Sequence, residues 1–159
     1  MLISLLVLLV PVLLLVGGYQ LIAGRTQPVA VDPAPALSAA ETAGLAVMTP
    51  DGLAAGWVPI SATYQPQEQS TTVRIGYVTP AGGSAQVVQS DLPAEQLLPS
   101  VLPERAAPAG TVELAGRTWQ RYPAPGGEQA LVWLAPELTV VVTGATADGE
   151  LAELAGSLR

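Results

Sequence analysis

The sequence predicts an α+β fold: an N-terminal transmembrane helix followed by a mainly antiparallel sheet with two covering helices. Three observations predict it. A run of 22 residues without a charge opens the chain, segments of alternating apolar and polar residues separated by tight turns fill most of the rest, and the last 12 residues repeat apolar positions at helical spacing.

Leu2 to Ala23 is the chargeless run. At a helical rise of about 1.5 Å per residue it reaches about 33 Å, enough for a hydrocarbon core of about 30 Å. Lipid forces each backbone N–H and C=O to pair within the segment, so helix is favoured in spite of Pro11, which kinks it. Tyr19 and Gln20 suit the interface, with Arg25 just beyond. The competing reading is a cleaved signal peptide, but no Lys or Arg precedes the run and the nearest A-x-A pattern, Ala34-Pro35-Ala36, lies well past its end. A lipoprotein is excluded because the chain has no Cys. Arg25 is the single basic residue near either helix end, and by itself it would put the C-terminal side in the cytoplasm. The immediate onset of the apolar run leads us to expect a basic cytoplasmic head ahead of Met1.

Residues 24–50 read as a Pro/Ala-rich linker, extended and semi-rigid, punctuated by Pro28, Pro33, Pro35 and Pro50. Within it Ser38 and Glu41 match a capping box, which would start a short helix over Ser38 to Ala46. Residues 51–159 are then the extracytoplasmic α+β domain. Trp57 to Tyr64 is its first strand, and Thr71 to Thr79 alternates Val73, Ile75 and Tyr77 with Thr72, Arg74 and Gly76. Pro80-Ala81-Gly82-Gly83 turns that strand into another over 84–90. Asp91 to Leu102 reads as a helix capped by Asp91 and shortened by Pro99, with Leu97, Leu98, Val101 and Leu102 on one face. Four more strands follow: Thr111 to Leu114, Arg117 to Tyr122, Glu128 to Ala135 and Leu138 to Thr143. Asp148 to Arg159 closes the chain as a helix with Leu151, Leu154, Ala155 and Leu158 on one side. The expected order is β-β-β-α-β-β-β-β-α, with both helices on one face of the sheet.

Composition removes much chemistry. Without Cys or His the usual ligands of zinc and transition metals are missing, and with no Lys a phosphate loop of the Walker type has no cation. No cofactor is expected. All 13 acidic residues follow Arg25 against five Arg, leaving about −8 on the soluble part, which argues against nucleic acid as a partner. The expected partners are the lipid bilayer through residues 2–23 and an envelope protein or glycan.

No catalytic, cofactor-binding or metal site emerges. Trp57, Trp119 and Trp133, with Tyr64, Tyr77 and Tyr122, supply most large side chains of a domain lacking Phe, so core packing explains them, and one or two could line a carbohydrate or peptide site. Ser84 follows a glycine pair without a G-x-S-x-G elbow or a His base; Gly82-Gly83 and Gly126-Gly127 read as hairpin turns. Scattered carboxylates read as solvated charges. Arg74, Arg117 and Arg121 would converge on an acidic partner if their strands were neighbours.

Taken together, the apolar MLISLLVLLVPVLLLV opening, the VDPAPALSAAE linker, the GWVPISATY segment from Gly56, RIGYVTPAGGSAQVVQS from Arg74, GRTWQRY and ELTVVVTGAT resemble the actinobacterial domain-of-unknown-function family 4245 over nearly the whole chain. The resemblance implies a single-pass, membrane-anchored cell-envelope protein with its C-terminal domain outside the cytoplasm and no established activity. It carries over no functional residues. That family has a basic segment before the anchor, which this sequence lacks at Met1. The leading expectation is an uncharacterised envelope protein acting as a non-enzymatic binding or accessory module. The alternatives are a carboxylate-dependent hydrolase acting on cell-wall glycans and a purely structural spacer.

Overall fold

The structure is a computed structural model, described for residues 28–103, 106–123, 128–147 and 149–159. It is an α+β fold with one seven-stranded antiparallel sheet and three helices. In chain order these are α1 (Ala34–Thr42), β1 (Val58–Gln67), β2 (Ser70–Val78), β3 (Ser84–Ser90), α2 (Ala94–Leu97), β4 (Thr111–Leu114), β5 (Arg117–Pro123), β6 (Gln129–Ala135), β7 (Leu138–Ala145) and α3 (Glu150–Ser157). All seven expected strands are present. The expected span at residues 2–23 lies outside the described residues; among those, no helix is long and apolar enough to cross a membrane.

The sheet runs β1-β2-β3-β7-β6-β5-β4. Two antiparallel meanders, β1 to β3 and β4 to β7, are joined where β3 pairs with β7. That seam is close: a Cβ on Gly144 would collide with the Ser84 carbonyl oxygen and the Ala85 Cα, so only glycine fits opposite Ala85. Alternation then assigns the two faces. Val73, Ile75, Val87, Trp119, Leu131, Val140 and Val142 point into a larger core, whereas Val88, Tyr122, Ala130, Val132 and Val141 point into a smaller one on the opposite face.

Three expectations are corrected here. The helices after β3 and β7 do not share a face: Leu97 and Leu102 belong to the smaller core, and Leu151, Leu154 and Ala155 of α3 belong to the larger. A sheet apolar on both sides needs cover on both. The segment from Asp91 to Leu102 holds a single α-turn followed by a 3-10 turn at Leu98–Ser100, because Pro99 removes a backbone donor. Asp91 does not cap it; its Oδ1 accepts the Thr71 N–H at 2.7 Å.

The third correction concerns the linker. Residues 34–50 are not a stalk: Leu37 and Ala40 of α1, then Leu45 and Met48, are buried in the larger core. Ala-rich sequence favours helix, and Pro35 sits in the first turn, where its missing N–H costs nothing. The helix begins four residues before Ser38, so the capping box does not form; Asp32 Oδ1 instead accepts the Ala34 N–H at 3.0 Å. Gln89, fully buried on β3, holds the following loop by pairing its side-chain amide with both the N–H and the C=O of Met48, at 2.7 and 2.8 Å. Thr49 and Arg159 then exchange two backbone hydrogen bonds of 3.0 Å, and Pro50 bridges Leu158. The start of the folded body is clasped to its end.

Candidate functional site

Alternation on β5 puts Arg117, Trp119 and Arg121 on the side of the larger core, and on β6 it puts Leu131, Trp133 and Ala135 there too. Trp119 is wholly buried. Its neighbour Trp133, 6.4 Å away between ring centroids, is only half-buried and shows part of its indole to a groove. That groove has a volume of about 390 Å³, and its walls are mostly apolar: Met48 from the loop after α1, Trp133, Ala135 and Leu138 from the β6–β7 hairpin.

Two cations stand on its rim. Arg117 lays its guanidinium over Trp133, 5.1 Å from the ring centroid, and donates from Nη1 to the Leu158 carbonyl at 2.8 Å. Arg159 donates from Nη1 to the Gly156 carbonyl at 3.1 Å. Both bonds fall on carbonyls at the C-terminal end of α3, where cations are favoured by the helix dipole. A guanidinium carries five N–H donors, so each arginine is fixed by one and keeps others for a second group. Glu137 is the one carboxylate side chain among the lining residues. An apolar floor with an aromatic wall, edged by two anchored guanidiniums, is suited to an apolar group that carries an anion.

The other arginines do not join them. Arg74 lies on the opposite face, with Nη2 donating to Ser100 Oγ at 3.3 Å, and three strands separate β2 from β5. Arg121 is four residues from Arg117, about 13 Å along the strand, and lines a separate cavity of about 180 Å³ with Val112, Gln129, Leu131 and Gly144. The condition for the three to converge is not met, since β2 and β5 are not neighbours. Trp57 packs edge-on to Tyr77 at 6.2 Å and 81°, against the far side of the larger core. Burial pushes the Tyr77 hydroxyl up to about 12. Tyr64 packs against the same core, and Tyr122 lies in the smaller one, its hydroxyl donating to Gln120 Oε1 at 3.0 Å.

Ser84 is exposed at the start of β3, and Gly82-Gly83 forms the β2–β3 turn, with Gly82 at a φ of 83°. Gly126-Gly127 lies outside the described residues. Among the described carboxylates all are exposed but Glu150, which is half-buried and accepts the Ala81 and Ala147 N–H groups at 2.9 and 3.0 Å. Glu68 and Asp91 both line an open polar groove of about 700 Å³ beside the β1–β2 turn, and Asp91 already serves Thr71 there. Neither is desolvated in the way a general acid requires.

In the sequence Trp133 and Arg117 stand as separate candidates, and nothing there marks Arg159 as their neighbour. Ala46 and Met48 fall within the stretch that composition reads as a linker. No curated protein and no solved structure matches the chain. The model of one family, described as a protein of unknown function (DUF4245), matches residues 1–158.

Proposed function

The chain belongs to the DUF4245 family of proteins of unknown function, and from that premise we propose a non-enzymatic binding module of the cell envelope, tethered to the membrane through residues 2–23. The groove beside Trp133 is its binding site, taking an apolar segment of an envelope partner that ends in, or carries, a carboxylate. One observation supports this reading above the rest: two of the five arginines in a soluble part carrying about −8 flank one apolar cavity, each held in place by a main-chain carbonyl. The tether is supported by the 22 uncharged residues from Leu2 to Ala23, which rest more favourably in hydrocarbon than in water.

Three measurements test it. Intrinsic tryptophan fluorescence of the full-length chain is followed on titration with apolar tripeptides bearing either a free C-terminal carboxylate or an amide. Trp133 makes the signal report on the groove. We expect the carboxylate series to bind and the amide series to bind about tenfold less well, with Arg117→Gln abolishing that difference. Indifference of the signal to every peptide in both series sinks the site. Recovery of the intact chain from the soluble fraction after cell breakage sinks the tether. Turnover of a cell-wall glycan by the purified chain would instead favour the hydrolase.

A further inference from the structure

We propose that β1 is a self-association edge, pairing antiparallel with β1 of a second copy in a single register centred on Thr63. The argument begins with the hairpin. Gln67 and Ser70 face each other across a two-residue turn, so they form a hydrogen-bonded pair, and alternation makes Gln65, Thr63 and Ser61 point their backbone groups at β2. The bond from the Asp91 N–H to the Thr71 carbonyl, on the far side of β2 at a residue paired with Pro66, has the phase this requires. Ala62, Tyr64 and Pro66 therefore turn their backbone outward, and β1 is the end strand of the sheet. Ala62 and Tyr64 each present a donor and an acceptor to solvent.

Long free edges are ordinarily protected by charge, proline or a bulge. This strand has no charged residue in its ten positions. Its protection is confined to the ends: Pro59 and a register shift between Pro59 and Ser61 at one, Pro66 at the other. The Val31 N–H covers only the Pro59 carbonyl, at 2.8 Å. Among the described residues, what remains open is the stretch from Ser61 to Gln65.

That stretch is complementary to itself. About a two-fold axis at Thr63, Ala62 of one copy meets Tyr64 of the other twice, and each pair exchanges two N–H···O=C bonds. The face bearing Tyr64 then sets an aromatic ring beside a small side chain. The opposite face sets Thr63 against Thr63 and Ser61 against Gln65, all neutral and all exposed in one copy. The prolines outside this window forbid further pairing, so the contact closes as a dimer and does not propagate. The net negative charge of each copy opposes approach, so added salt strengthens the contact.

The absence of native cysteine gives a direct test. Opposed residues at a position not hydrogen-bonded across the pair lie about 4.5 Å apart at Cα, within disulfide reach. Cells producing full-length Thr63→Cys are treated with a mild oxidant, and dimer is read on a non-reducing gel. We expect a dominant cross-linked band that increases with salt, and about tenfold less from Thr118→Cys on β5. Ala62→Pro in the Thr63→Cys background keeps the strand, since its lost N–H faces away from β2, and should remove the band. Should that variant fail to fold, mixing Ser61→Cys with Gln65→Cys chains gives the second reading: the mixture cross-links and neither chain does so alone. Equal cross-linking from Thr63→Cys and Thr118→Cys, or Ser61→Cys linking to itself as well as to Gln65→Cys, overturns the proposal.

Discussion

At the scale of single residues, Ala115 stands in a backbone conformation that its side chain resists. Ala115 has a φ of 51° in the two-residue turn between β4 and β5, and Gly116 follows at 75°. Both positive angles are those of the turn that suits a right-handed hairpin twist, but alanine meets a steric penalty there that glycine does not. Ala115→Asn should raise stability by about 0.5–1 kcal/mol, since asparagine accepts this conformation more readily. A chemical denaturation midpoint that stays put or falls would contradict that assignment. The hairpin itself was legible because Ala115-Gly116 interrupts two alternating runs. The burden on Ala115 was not, since no sequence pattern states which of two turn residues bears which angle.

At the scale of elements, Glu150 joins two pieces distant in sequence. It stands in the first turn of α3, and its carboxylate takes the Ala81 N–H of the β2–β3 turn and the Ala147 N–H ahead of the helix. Partial burial raises its pKa, but the hydrogen bonds from Ala81, from the Thr79 side chain and from Ala147 together outweigh this and hold it below the usual glutamate value. A carboxyl depressed in the folded state adds stability that is present above its unfolded pKa and is lost as pH falls through the folded value. The advantage of the native chain over Glu150→Gln should therefore be largest near neutrality and shrink as pH drops below about 4.5, the unperturbed value. Urea unfolding of both at pH 7 and pH 3 checks this, and a gap independent of pH would show that the charge is irrelevant. The sequence placed Glu150 correctly near a helix start; its second partner, 69 residues away, had no local signature.

Strands were readable for the same physical reason that the helix faces were not. Alternation within a strand records which residues share a face, and Val73, Ile75 and Tyr77, all in the larger core, show it plainly. Which side of the sheet each helix covers depends on how loops cross it, and Val140, Val141 and Val142, apolar on both sides, were the clue that both sides need cover. The Trp133 groove was hidden more deeply. Its lining comes from the loop after α1, from β5, from the β6–β7 hairpin and from Arg159 beyond α3, and only the β6–β7 part is continuous in sequence.

At the scale of the whole molecule, the boundary of the folded body moves toward the N-terminus. Composition put it at residue 51, since proline and alanine dominate the preceding stretch. Burial puts it near α1, whose Leu37 and Ala40 join Leu45 and Met48 in the larger core. A chain beginning at residue 51 would uncover that core, strip Gln89 of both its Met48 partners and leave the Arg159 backbone without Thr49. Each buried polar group so orphaned costs about 1–3 kcal/mol, so such a chain should be unfolded or marginal at 37 °C, whereas one beginning at residue 28 should melt cooperatively. Circular dichroism melts of the two decide it. A sharp transition from the shorter chain would restore the stalk.

The clasp between Thr49 and Arg159 also governs when this protein can become itself. Its two halves come from the loop after α1 and from Arg159 beyond α3, so that loop stays unfastened until all seven strands and α3 have been made. The groove beside Trp133, walled by both Met48 and Arg159, is complete only from then.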